Sequence, residues 1–160
     1  MANHNLKIAI VGGGIGGAAA ALSLLKAGFD VHVYEQTRAL REVGAGIVLT
    51  PNATRVLHHL GFADALEALG VAPVAFRQRR WDDGRTLLCT PVVREPGKPS
   101  TFFTSHRSDV LLMLAGQIPP DRLHLGHQLT GFTDHGDRVD IKVADKPPVT
   151  ADIMIGADGI

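Results

Sequence analysis

The chain has 160 residues, 45% of them hydrophobic and 20% charged, with 16 Lys and Arg set against 16 Asp and Glu. This is the composition of a folded globular chain of one-domain size, able to hide roughly 68–70% of its unfolded surface, and it excludes disordered and collagen-like classes. With no net charge and no basic run, it offers no field for a polyphosphate, which argues against a nucleic-acid partner.

Residues 6–11, a short β-branched apolar run ending at a glycine cluster, predict a buried parallel strand. Residues 15–26, rich in Ala and Leu and followed by Gly28, predict a helix of about three turns. Residues 30–35 alternate around Val31 and Val33 and end in an acid, predicting a second strand parallel to the first through a crossover. The apolar stretch 8–25 is about as long as a bilayer span. Its five glycines and Ser23, and the lack of a basic leader, instead suit a strand, turn and helix, so no membrane partner is expected.

Between those elements, Gly12-Gly13-Gly14-Ile15-Gly16-Gly17 satisfies G-x-G-x-x-G at Gly12, Gly14 and Gly17. The first glycine permits a tight turn, the second lets a pyrophosphate approach bare backbone, and the third lets helix and strand pack closely. The helix opening at Ile15 and Gly16 then presents unpaired N–H groups and a partial positive charge to an anion. Glu35, eighteen residues past Gly17, stands at the tip of the next strand, where a carboxylate accepts from both ribose hydroxyls and disfavours a 2′-phosphate. Strand, glycine turn, helix and acid together predict a dinucleotide site, and spacing alone leaves FAD and NAD both open.

Residues 36–50 have little periodicity and predict a loop or short extended piece near the ligand. Pro51 and Asn52 open a helix ending at Gly61, and 62–69 is a second amphipathic piece stopped by Gly70. Strands around 74–81 and 86–89 flank Asp82-Asp83-Gly84, a hairpin signal, and 91–100 is a loop. A strand is expected at 101–105, then a helix over 108–118 with Ser108 as its N-cap. Segments 123–125, 129–133 and 139–143 alternate as strands, the last two joined by His135-Gly136-Asp137, and 151–157 predicts one final apolar strand. The expected architecture is α/β: a Rossmann-like parallel sheet with a βαβ start plus a β-meander. Residues 1–160 are expected to form one dinucleotide-binding domain, with the strands around 72–105 assigned to a substrate-side sheet.

Three later segments resemble a known family. Glu35-Gln36, Arg41-Glu42-Val43-Gly44-Ala45-Gly46-Ile47, Pro51-Asn52-Ala53 and Leu60-Gly61 are similar to the start of the single-component FAD-dependent aromatic monooxygenases, of the salicylate hydroxylase and 6-hydroxynicotinate monooxygenase branch. His106-Arg107, before the stretch with Asp109 and Leu111, resembles that family's arginine-led helix, and Ile153 to Gly159 resembles its Asp-Gly motif. The resemblance runs from Lys7 to Ile160. It implies FAD as cofactor, NAD(P)H as reductant and O2 as co-substrate, with a hydroxyl placed on an activated hydroxybenzoate or hydroxypyridine ring. It further implies that Gly12, Gly14 and Gly17, with Ile15 and Gly16, hold the FAD pyrophosphate, and that Glu35, followed by Gln36, holds the adenosine ribose. Gly44, Ala45 and Gly46 would line the flavin side, and Arg41 would also bind the cofactor. Arg107 would reach the phosphates or ribityl chain, and Asp158 and Gly159 would lie near the pyrophosphate.

The chain ends at Ile160 inside the Asp-Gly motif, whereas the family continues with a further Gly-Asp segment and a substrate-binding sheet. The expectation is therefore an N-terminal fragment, partnered by the rest of the same protein and inactive on its own, because hydroxylation of this type needs a water-poor enclosure. Two other readings stay open here: an NAD-binding or amine-oxidase-like oxidoreductase sharing only the first βαβ unit, and a non-catalytic nucleotide-binding module.

No general base stands out and no metal site is expected. The eight histidines read as structural or surface groups, since His58-His59 point apart on a helix and His124 with His127 lack a carboxylate or cysteine at ligand spacing. Trp81 and Phe102-Phe103 read as core or inter-domain packing. Cys89, the sole cysteine, reads as a buried or half-buried structural thiol and fits a cytoplasmic protein. The sequence leaves open the ring hydroxylated, NADH against NADPH, and the oligomeric state.

Overall fold

The structure is a computed structural model that describes residues 6–40, 45–93, 97 and 100–159. The chain divides into two compact units, Met1–Val43 with Val110–Ile160, and Gly44–Asp109.

The first unit is built on a four-stranded parallel sheet. Its strands are β1 (Lys7–Val11), β2 (Asp30–Glu35), β7 (Leu123–Leu125) and β11 (Ile153–Gly156), in the order β11-β1-β2-β7. Helix α1 (Ile15–Lys26) joins β1 to β2. Ile8, Ile10, Val31 and Val33 are 3% exposed or less, as are Ala18 and Ala21 of α1, whose small side chains let helix and sheet approach closely. Because strand residues alternate faces, Ala9, Tyr34 and Met154 lie on the opposite side of the sheet. There they form a second core with Ile141, Val143 and Ala151 of an antiparallel meander. That meander comprises β8 (Leu129–Asp134), β9 (Val139–Val143) and β10 (Val149–Ala151).

The final apolar segment is two strands rather than one. Asp152 interrupts it: its N–H donates to the Lys7 carbonyl at 2.9 Å and its carboxylate accepts from the Lys7 N–H at 2.7 Å. This reciprocal pair ends β10 and starts β11 in a different sheet.

The second unit holds the antiparallel pair β3 (Gly46–Leu49) and β6 (Phe103–His106), helices α2 (Pro51–Leu60) and α3 (Ala63–Leu69), and the hairpin β4 (Ala75–Arg79) with β5 (Thr86–Pro91). Pro51 sits at the helix start, where its missing N–H costs nothing, and Gly61 caps α2 with φ +97°. Leu49, Leu57, Phe62, Leu66 and Phe103 form the buried set, with Phe103 fully enclosed. The buried Thr54 hydroxyl donates to the Thr101 carbonyl at 3.0 Å, so no polar atom of it is left unpaired.

Helix α4 (Arg107–Ala115) opens one residue earlier than expected. Ser108 lies inside its first turn, its hydroxyl turned to Asp109, so it is not the cap. The strand before it is correspondingly shifted, to Phe103–His106. Strand β4 ends at Arg79, where the Arg80 N–H donates to the Arg85 carbonyl at 2.9 Å to close the turn, and β5 runs on to Pro91, past the end that the alternation suggested. Trp81 at that turn is 96% exposed, which corrects a core role for it, and Cys89 on β5 is exposed, which corrects the buried or half-buried thiol expected there. Among the described residues no helix is long and apolar enough to cross a membrane.

Candidate dinucleotide-binding site

The carboxyl ends of β1, β2, β7 and β11 lie side by side, and β1 is where the chain turns one way to β2 and is later joined on its other side by β11. In open α/β sheets this switch point is where ligands bind. The ends are stitched together: Gly12 N–H donates to the Tyr34 carbonyl at 2.8 Å, and Ala157 N–H donates to the Val11 carbonyl at 2.7 Å.

The glycine turn divides into tight and open positions. A Cβ on Gly12 would lie 2.4 Å from the Ala157 carbonyl oxygen, and its φ of +106° already favours glycine. A Cβ on Gly17 would stand 1.9 Å from the Gly12 carbonyl oxygen, so the third glycine is required by helix-strand packing. At Gly14 and Gly16 a Cβ meets nothing within 4 Å. Open space over the second glycine, bounded by two glycines with none to spare, is the cradle that a diphosphate needs.

Above that cradle α1 begins with Gly14 as N-cap, with no side-chain cap and no acid in its first turn. The first amides of a helix have no intrahelical acceptor. Gly14, Ile15, Gly16 and Gly17 thus present donors and the positive end of the dipole to an anion. Two upstream amides are not free: Gly12 donates to Tyr34, and Gly13 donates to Glu35 Oε2 at 2.6 Å.

Glu35 points into the crevice. Its other oxygen, Oε1, accepts from the Thr37 N–H at 2.8 Å, so both carboxylate oxygens are oriented by backbone donors, each with lone pairs left over. The close approach explains Gly13, which sequence reasoning passed over: a Cβ there would lie 2.9 Å from the Glu35 Cβ. The turn after Glu35 is held in its place by Gly126 N–H to the Thr37 carbonyl, 2.9 Å, and His127 N–H to the Glu35 carbonyl, 2.8 Å. No local signal at Gly126 or His127 could have found this, since the pairing exists only once β7 adds to the sheet.

Of the other candidates in this unit, Asp158 and Gly159 follow β11 and are exposed, Gly159 with φ +82°, and the Asp158 backbone N lies within 2.7 Å of where a Gly12 Cβ would be. Gln36 is exposed beside Glu35. In the second unit, the structure brings Ala45 and Gly46 together with Arg107. Gly46 pairs with His106 in the β3–β6 ladder, and the Arg107 N–H donates to the Ala45 carbonyl at 3.1 Å. Ala45 and Gly46 are exposed, and nothing nearer than the Ser105 oxygen at 3.9 Å meets a Cβ on Gly46. Arg41 and Gly44 lie outside the described residues. Among the described residues no group of three His, Cys, Asp or Glu is arranged to hold a metal.

Beside the crevice, on the meander side of the sheet, stands a cluster that the sequence did not reveal. His32 Nδ1 is 2.8 Å from His124 Nε2, the two rings stack at 5.1 Å, and His124 stacks on Tyr34 at 4.8 Å. Arg122 bridges Asp30 and His32. Burial first, and then Lys7, holds the His32 imidazole below its ordinary range, against a smaller pull from Asp121. Burial also lowers His124, with His32, His127 and Lys7 adding to it and Asp121 opposing. Burial raises the Tyr34 phenol above its ordinary value.

The chain is similar to known proteins over nearly its whole length. The profile of a family described as FAD binding domain matches residues 5–160. The chain is 38% identical over 164 aligned residues to the 3-amino-4-hydroxybenzoate 2-monooxygenase PtmB3 of Streptomyces platensis, covering 100% of this chain and 41% of that protein. It is 39% identical to the 6-hydroxynicotinate 3-monooxygenase of Pseudomonas fluorescens, covering 96% of this chain and 40% of that protein. Among solved structures, HpxO of Klebsiella pneumoniae, complexed with FAD, superposes with a TM-score of 0.82 at 26% identity, covering 97% of this chain and 40% of that one. The chain therefore spans about two fifths of the length of the proteins it matches.

Proposed function

Because the chain belongs to the family described as FAD binding domain, we propose that it holds FAD for a monooxygenase that hydroxylates an activated aromatic ring, of hydroxybenzoate or hydroxypyridine type, with NAD(P)H and O2. The single observation that carries the reading is the contrast within the glycine turn: Gly12 and Gly17 have no room for a side chain, while Gly14 faces open space under uncapped helix amides.

In this reading the diphosphate lies against Gly14, Ile15, Gly16 and Gly17, and the Glu35 carboxylate accepts from the adenosine ribose hydroxyls. A carboxylate already fixed by Gly13 and Thr37 enters binding with its orientation set, so little rotamer freedom is lost. Asp158 and Gly159 border the diphosphate from β11. Ala45 and Gly46, with bare or nearly bare backbone, line the flavin side, where a planar ring needs a flat neighbour, and Arg107 offers a fixed positive charge to the ligand's anionic linker. Arg41 and Gly44 join them by resemblance. When bound, FAD would supply the redox chemistry between NAD(P)H and O2; the protein's part would be to bind, orient and exclude water.

We assign hairpin β4–β5 to the substrate side. Every residue of β5 is exposed, including Leu87 and Leu88, and Phe76 and Trp81 are exposed nearby, a density of uncovered apolar groups that marks an interaction surface. The relatives' names speak of aminohydroxybenzoate and hydroxynicotinate, which supports a small hydroxylated aromatic acid as substrate.

The test is direct. The purified full-length protein that contains this chain, loaded with FAD and freed of excess flavin, should retain near-stoichiometric flavin absorbance, and with NAD(P)H should hydroxylate one of a panel of hydroxybenzoates and hydroxypyridines. A preparation that retains no flavin after excess FAD is removed, while folded by circular dichroism, overturns the reading.

A further inference from the structure

The His32–His124 contact has a direction. Arg122 has only donors, and its Nη1 lies 2.9 Å from His32 Nε2, so that nitrogen accepts. A neutral His32 then carries its hydrogen on Nδ1, which donates to His124 Nε2 at 2.8 Å, and His124 keeps its own hydrogen on Nδ1. The chain of donors Arg122, His32, His124 is complete only when both rings are neutral. A proton added to His124 puts a second N–H in front of the His32 N–H, and a proton added to His32 puts an N–H in front of the Arg122 guanidinium.

These contacts fasten β7 to β2. Strand β7 has only three residues and lies at the sheet edge, paired as Val33 with Leu123, Tyr34 with His124 and Glu35 with Leu125. Its side-chain anchors are the His124 bond to His32, the His124 stack on Tyr34, and the Arg122 bridge to Asp30 just before it. The two residues directly after β7, Gly126 and His127, donate the amides that hold the Glu35–Thr37 turn. What docks β7 therefore also positions the Glu35 carboxylate.

We propose that the His32–His124 pair is a pH-gated positioning device for the ribose-binding carboxylate: with both imidazoles neutral, β7 is locked on β2 and the Glu35 turn is held, and protonation releases that hold. The inference rests on the reading that Glu35 receives the FAD ribose.

The charges facing the pair come from every neighbouring element. Lys7 of β1 and Arg122 oppose a positive imidazole from one side, His127 and its neighbour Lys146, 3.5 Å from His127 Nδ1, from the other. Asp30, 3.6 Å from His32, and Asp121 favour it. Asp30 is already engaged by Arg122, and Asp121 also contacts Arg122, at 3.4 Å, so the carboxylates are shared and the proton is resisted. Below the ordinary imidazole range that resistance is overcome, and the first bond lost is the one between the two rings.

The experiment measures FAD affinity by fluorescence quenching at pH about 8 and about 5.5, beside hydrogen exchange of the Gly126 and His127 amides in flavin-free protein. Expected for the wild type is an affinity that falls at the lower pH, by at most one power of ten per pH unit for each proton taken up, with a parallel loss of protection at both amides. His124→Gln, which leaves only His32 to take up a proton, should show a smaller pH ratio than the wild type. Independently, nitrogen chemical shifts of the wild type at the higher pH should place hydrogen on Nδ1 of both His32 and His124. Equal pH ratios in wild type and variant, unchanged amide protection across the pH range, or the opposite tautomers would each overturn the device. Failure to bind FAD at either pH would instead overturn the cofactor reading, while the exchange and nitrogen measurements still decide whether the pair locks β7.

Discussion

At the scale of single residues, the six-residue glycine turn separates fold from function. Gly14 has φ −68° and open space beyond it, so Gly14→Val leaves the backbone unstrained and costs only the modest penalty of a β-branched residue at a helix N-cap, about 1 kcal/mol. The new side chain stands where a diphosphate would lie, and FAD binding should vanish while urea unfolding barely moves. Gly17→Ala should do the reverse first, because its methyl would stand 1.9 Å from the Gly12 carbonyl oxygen and force helix from strand, an overpacking cost of about 1–3 kcal/mol in unfolding free energy. Equal effects of the two substitutions on unfolding would refute this division. Glu35→Ala removes a charged acceptor and leaves the Gly13 and Thr37 amides without partners. A loss of about 1.5–3 kcal/mol in FAD affinity is expected from titration, and an unchanged dissociation constant would place the ribose elsewhere.

At the scale of elements, the second unit depends on one residue more than any other. Phe103 is its largest fully buried side chain, and a Cβ on Gly70 would lie 2.9 Å from the Phe103 ring, so there is no slack for collapse around a cavity. Phe103→Ala should cost about 3–5 kcal/mol, read as lost exchange protection across the β3–β6 ladder, and a loss under about 1 kcal/mol would show that the core lies elsewhere. The elements best read from sequence were those with local causes: β1, α1 and β2, whose periodicity and glycine punctuation fix them, and α2, bracketed by Pro51 and Gly61. Those misread had distant causes. The break at Asp152 exists because Lys7 accepts and donates there, 145 residues away, and α4 opens at Arg107 because that residue's amide is drawn to Ala45. The His32–His124 pair is 92 residues apart in sequence and appears only once β7 has found its register beside β2.

At the scale of the molecule, the titrating groups set a window of stability. His32 and His124 have folded pKa values depressed below the ordinary 6.5, so the unfolded chain binds more protons than the folded one as pH falls through that region. Their contribution is fully present above about 6.5 and is lost as pH falls from there through the folded values. Tyr34 acts at the other end. Its phenol is raised above 10, so an unfolded chain ionises first and stability falls once pH exceeds about 10. Urea midpoints should therefore form a plateau between these limits, with a decline beginning near pH 6.5 that His124→Gln makes shallower. Tyr34 is the sole tyrosine, so phenolate absorbance reads it without interference, and the signal should appear with unfolding rather than before it. A phenolate signal at ordinary pH in folded protein would mean that the ring stacked on His124 is open to water, and a midpoint that does not change from pH 8 to 5 would mean that neither histidine is held neutral by the fold.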